Sequence, residues 1–150
     1  MAIKQILLGV VVSVVLAGCQ SAGGLDGRPA FWASTLKCSG PTCDASVTVD
    51  ANCVVTVDPE VLDLREGRDT QDITWKLNTK DYEFSKDPLK YGIVIKSDDS
   101  GGQVHSPSHH GSSITLKFKH KTPGKYFQYG VNVVRSDGLR CSTKDPWFVE

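Results

Sequence analysis

The chain has 150 residues, with 17 Lys and Arg against 17 Asp and Glu and a formal net charge of zero. That balance excludes a basic surface for nucleic acid and an acidic tail for basic partners. Hydrophobic residues make up 39% and charged residues 23%, which excludes a disordered acidic chain and a multi-span membrane protein, while the length allows a single domain. Five cysteines in so short a chain make the redox compartment the next question.

The N-terminus reads as an export signal. Lys4 supplies the positive start, and Ile6 to Leu16 is an apolar run shorter than the roughly 20 residues needed to cross a bilayer as a helix. The run ends in Leu16-Ala17-Gly18-Cys19, which resembles the lipobox of bacterial lipoproteins. The resemblance implies cleavage before Cys19, diacylglycerol on its sulfur and a third acyl chain on the new amine. Each buried CH₂ contributes about 0.8 kcal/mol, so two or more chains give a stable anchor in membrane lipid. In Gram-negative lipoproteins an Asp after the acylated Cys marks retention in the inner membrane; Gln20 stands there instead, which implies an outer-membrane location, facing either the periplasm or the exterior. Lys4 leaves with residues 1–18, so the mature chain has one more acid than base. Residues 19–30 are then the lipidated N-terminus and a Gly- and Ser-rich flexible tether, and residues 31–150 form the domain.

With Cys19 committed to lipid, Cys38, Cys43, Cys53 and Cys141 form an even set in an oxidising compartment. Three pairings are possible. Gly40-Pro41 between Cys38 and Cys43 is a turn that brings their Cβ atoms together, which favours Cys38–Cys43 and leaves Cys53–Cys141 as the long-range bridge. Zinc is disfavoured for want of C-x₂-C spacing and of a histidine in register.

Beyond Cys19 the apolar spacing is two rather than 3.6, and β-branched and aromatic residues dominate, so the domain is predicted to be all-β. Residues 46–50 and 53–57 predict a hairpin or a bulged strand across Ala51-Asn52. A short strand follows at 61–64, then a half-buried one through Ile73, Trp75 and Leu77. Residues 91–96 are nearly all apolar and predict a central strand covered on both faces. Residues 101–113 predict a solvated, mobile loop. Ile114, Leu116 and Phe118 alternate with polar residues, as do Phe127, Tyr129, Val131 and Val133, and residues 147–149 are predicted to close a sheet edge. About seven strands at this spacing predict a single antiparallel β-sandwich stapled by disulfides. Pro123-Gly124-Lys125-Tyr126 and the strand after it resemble immunoglobulin-like and PKD-like bacterial domains, which implies a corner hydrogen bond from Tyr126 or Tyr129 and a core role for Trp75. The same pattern with Cys141 and Asp145-Pro146 also resembles cupredoxin-like sandwiches, but no histidine follows Cys141 and the sole methionine is Met1, so a type-1 copper site is excluded.

The candidate metal ligands are His105, His109 and His110 in the 101–113 loop, with His120 one strand further on. Imidazoles in a loop can bind Zn²⁺ or Cu²⁺, yet Pro107 rules out a helical His105/His109 pair, and the preferred reading holds no metal and no cofactor. There is no G-x-S-x-G and no H-E-x-x-H, so no enzymatic activity is expected. Asp58, Glu60, Asp63, Glu66, Asp69 and Asp72 interspersed with Arg65 and Arg68 read as a solvated face. The function expected is that of a non-enzymatic envelope lipoprotein, a binding or structural module for an envelope protein or polysaccharide. The alternatives are a periplasmic metal-binding lipoprotein using the His105/His109/His110 loop, and a small lipoprotein inhibitor of a hydrolase such as lysozyme.

Overall fold

A computed structural model describes residues 34–67, 69–97, 102–105, 107–121, 123–143 and 145–150. The described chain is all-β, with no helix, in two sheets. Twelve strands are present among the described residues: β1 (Thr35–Lys37), β2 (Thr42–Val49), β3 (Val55–Asp58), β4 (Val61–Asp63), β5 (Thr70–Leu77), β6 (Tyr82–Phe84), β7 (Ile93–Ile95), β8 (Ser108–His110), β9 (Ser113–Lys119), β10 (Tyr126–Arg135), β11 (Arg140–Ser142) and β12 (Trp147–Val149). One sheet runs β3-β2-β5-β9-β8; the other runs β1-β4-β12-β10-β11, with β6 and β7 also pairing with β10.

Period-two alternation builds both sheets. Along β2, Cys43, Ala45, Val47 and Val49 are buried, and along β5 Gln71, Ile73, Trp75 and Leu77 are. Each strand therefore puts its apolar set on one face. Ile114, Leu116 and Phe118 of β9 extend the same face. Aromatic rings join the sheets: Trp75 meets Tyr129 edge-on at 5.1 Å and Phe118 meets Phe127 and Phe148 at 5.3 Å, while Phe127 stacks on its cross-strand neighbour Phe148 at 4.9 Å. Trp75 Nε1 and Tyr129 Oη lie in this core without a partner at hydrogen-bond geometry. Burial pushes the Tyr129 phenol well above its usual range, against a smaller downward pull from the Trp75 indole.

Both disulfides also run from sheet to sheet. Cys38, just after β1, pairs with Cys43 on β2, and Cys53, just before β3, pairs with Cys141 on β11, at Cα separations of 5.5 and 5.3 Å that suit the bond. The two pairs are those favoured by the Gly-Pro turn.

Several elements differ from the sequence expectation. Strands exceed the predicted seven because short pairings such as β1, β6 and β11 lack a repeating pattern long enough to read. The pairing is also not purely antiparallel, since β1–β4, β4–β12 and β2–β5 are parallel. β7 pairs only with β10 among the described strands and leaves Val94 and Ile95 half-buried, so the 91–96 run is not a strand covered on both faces. β12 sits between β4 and β10 rather than at an edge, which buries Phe148 and Val149. The 101–113 segment is not simply a solvated loop: Val104 bridges Phe118, and β8 pairs with β9, because Ser108 to His110 can continue the ladder beyond β9. Of the two tyrosines that could make the corner hydrogen bond, Tyr129 has its hydroxyl buried in the core without a hydrogen-bond partner, which leaves that role to Tyr126.

Candidate functional site

Three strand ends meet at one end of the sheets. The start of β5 brings Gln71, the end of β9 brings His120, and the end of β12 brings Glu150. The loop after β4 adds Arg65, Gly67 and Asp69, and the approach to β10 adds Pro123 and Gly124. Arg65, Gly67, Asp69, His120, Pro123, Gly124 and Glu150 line an open recess of about 320 Å³, with Gln71 buried next to Gly67 and His120.

Gln71 organises the recess. It occupies an inward position of β5 and is fully buried, so its amide must find partners inside the protein. The Nε2 group donates to the carbonyls of Cys38 and Gly40 at 2.8 and 2.6 Å. Both amide hydrogens are thereby committed, which fixes the orientation of the group and leaves Oε1 as an acceptor. His120 Nε2 lies 3.2 Å from that oxygen, so the ring must carry its hydrogen there. Nδ1 lies 3.7 Å from Glu150 Oε1, beyond hydrogen-bond distance. The ring stands edge-on to Phe118 at 5.1 Å, and the His120 N–H donates to the Asp69 carbonyl at 3.1 Å. Gly67 is required beneath it: a Cβ there would come within 2.4 Å of Gln71 Oε1 and 2.8 Å of His120 Nε2.

Glu150 is buried, and its carboxylate accepts from Gln103 Nε2 and from the Lys121 N–H. Its backbone is held as well, with its N–H donating to the Lys125 carbonyl at 2.9 Å and its carbonyl accepting from the Gly124 N–H at 2.5 Å. On the opposite wall, Arg65 grips Asp63 with two parallel bonds, Nε to Oδ1 at 2.8 Å and Nη2 to Oδ2 at 2.6 Å. The guanidinium beside it holds the Asp63 carboxyl below the usual carboxylate range, against the opposing effect of burial. Asp63 is therefore not part of a solvated acidic face; β4 carries it inside, and Arg65 neutralises it there. Other members of that charged run are paired nearer the surface, exposed Glu66 with Lys37 and half-buried Asp72 with Lys117, and Arg68 lies outside the described residues.

The three loop histidines are spread out. His105 is exposed, and its N–H donates to the Lys117 carbonyl at 2.9 Å. His109 and His110 are consecutive in β8, opposite Ile114 and Ser113, so their side chains leave opposite faces of the sheet. His110 is exposed, whereas His109 is half-buried with its ring edge-on to Tyr91 at 4.7 Å and its Nε2 buried without a hydrogen bond. Burial, aided by the Lys86 charge, lowers the His109 pKa. Among the described residues, no group of three His, Cys, Asp or Glu side chains is placed to hold a metal ion.

The sequence carries a signal for the recess. Gln71 and His120 each continue the inward register of an apolar alternation, Gln71 ahead of Ile73 and His120 after Phe118, and a polar residue in that register implies an internal partner. Asp63 and Glu150 carried no such signal, since short strands set their burial. Cys19 and Gln20 lie outside the described residues, among which no helix is long and apolar enough to cross a membrane. No family model and no curated protein matches the chain.

Proposed function

We propose that the protein is a non-enzymatic, outer-membrane lipoprotein whose domain is an immunoglobulin-like sandwich acting as a binding or structural module in the cell envelope. Its signal peptide spans residues 1–18, and acylated Cys19 anchors it in lipid. The observation that carries the binding role is the recess. Arg65, Asp69, His120 and Glu150 line one open hollow, bringing ionisable side chains of both signs and an imidazole together, on a frame cross-linked twice between its sheets. Such convergent polar groups suit a polar ligand such as an envelope polysaccharide or an acidic and basic protein surface. His120 Nε2 is held by Gln71 Oε1 and the ring stands edge-on to Phe118, which favours holding the ring as a wall.

Cosedimentation of the full acylated chain with purified peptidoglycan, alongside Arg65→Ala and Asp69→Ala, tests this reading. Binding that falls at least about tenfold in both variants, the equivalent of about 1.4 kcal/mol, supports the recess as the seat. Equal binding by all three chains refutes it.

A further inference from the structure

At the other end of β10 the ladder is broken on purpose. β6 pairs with residues 133–135 and β7 with residues 129–131, both on the same side of β10, and between them residues 85–92 leave the sheet. The neck closes tightly: the Ser85 N–H donates to the Asn132 carbonyl at 3.0 Å, the Gly92 N–H to the Ser85 carbonyl at 2.7 Å, and the Asn132 N–H to the Gly92 carbonyl at 2.8 Å. Gly92 cannot be replaced there, because a Cβ would lie 2.4 Å from Ile114 Cδ1 and 2.8 Å from the Phe84 Cβ. The excursion is braced by Asp87. Its carbonyl accepts from the Lys90 N–H, its Oδ1 from the Leu89 N–H, both at 3.0 Å, and its Oδ2 from Arg140 Nη1 at 2.6 Å. A compact, self-bonded loop inserted into a paired strand is a feature to be explained by function.

What this brace presents is Leu89, 91% exposed at the tip. A single exposed leucine needs no explanation by itself, but this one is held out on a braced loop, and Leu139, also exposed, directly precedes the Arg140 that holds Asp87. Asp87 is turned back onto Arg140, so the charges beside the tip are Lys86 and Lys90; Lys86 also reaches Glu83, and Lys90 forms no ion pair among the described residues.

We infer that this end of the domain rests on a lipid bilayer, with Leu89 inserted among anionic headgroups between Lys86 and Lys90. The inference rests on the proposed acylation of Cys19. Residues 20–33 span at most about 45–50 Å, more than the roughly 35 Å width of a domain of this size. The anchor alone therefore leaves orientation free, while it holds the domain at high effective concentration over the surface, where a contact too weak to recruit a free protein is populated. An apolar tip flanked by lysines is suited to that contact.

The test uses the full acylated chain in bicelles containing phosphatidylglycerol and a lipid with a paramagnetic headgroup, read by amide relaxation. The expected result is enhancement at Leu89 and Lys90 at least about tenfold above that at Asp69 and Gly124, falling to the level of those residues in Leu89→Asp and weakening in Lys86→Glu/Lys90→Glu or in phosphatidylcholine alone. Leu89→Asp alters a fully exposed position, and an unchanged amide spectrum elsewhere establishes that it folds. A chain that floats with vesicles but shows uniform enhancement overturns the bilayer contact and leaves the acylation standing. A chain that does not float overturns both.

Discussion

Removing each disulfide in turn separates two physical explanations of what holds the sheets together. Both bonds join the same two sheets, but Cys38–Cys43 closes a sequence separation of 5 and Cys53–Cys141 one of 88. In the chain-entropy picture the long bridge contributes about 4–5 kcal/mol and the short one about 2 kcal/mol. Packing predicts the opposite order, because Cys38 and Cys43 are both buried whereas Cys53 is only half-buried beside buried Cys141. The paired variants Cys38→Ala/Cys43→Ala and Cys53→Ala/Cys141→Ala therefore discriminate between the two. With each kcal/mol worth about 3–5 °C at this size, the second pair should lower Tm by about 12–25 °C and the first by about 6–10 °C. Urea unfolding without reductant, alongside scanning calorimetry, measures both. A Cys38/Cys43 variant as destabilised as the other, or more so, would refute the loop-closure argument.

Three further outcomes follow from the site and its surroundings. Asp63 has a folded pKa below its unfolded value, so its pairing with Arg65 contributes stability above about pH 4 that is lost as pH falls through the depressed folded pKa; urea unfolding from pH 2 to 7 should show this acid slope reduced in Asp63→Asn. Gly67→Ala should force Gln71 and His120 apart, destabilising by about 1–3 kcal/mol through lost buried hydrogen bonds, and moving the His120 imidazole signals in NMR spectra; unmoved signals would contradict the close contact. His109 should titrate below an ordinary histidine because burial opposes its charge, and Lys86→Glu should raise its pKa by NMR titration; an upward shift in the wild-type chain would contradict its placement against Tyr91.

Alternation in Ile73-Trp75-Leu77 and Ile114-Leu116-Phe118 made the central strands legible, because one face of each is buried and a period of two is hard to produce otherwise. The turn between Cys38 and Cys43 made the bridges legible for a local reason. The His105/His109/His110 cluster misled, since adjacency in sequence places His109 and His110 on opposite faces once β8 joins the sheet. β12 misled in another way: three residues of mostly apolar side chain carry no mark that distinguishes an edge from the place between β4 and β10. The recess was hidden because its parts come from residues 65 to 150, and only the parallel pairing of β4 with β12, which nothing local specifies, brings Arg65 and Glu150 to the same end.

Metabolic labelling with palmitate, followed by membrane fractionation of the wild-type chain and Cys19→Ser, tests the central claim most directly. The lipoprotein account predicts label on the wild-type chain and recovery with the outer membrane, and no label on Cys19→Ser, which accumulates unprocessed or soluble. Continued labelling of Cys19→Ser, or an unlabelled wild-type chain, would contradict it.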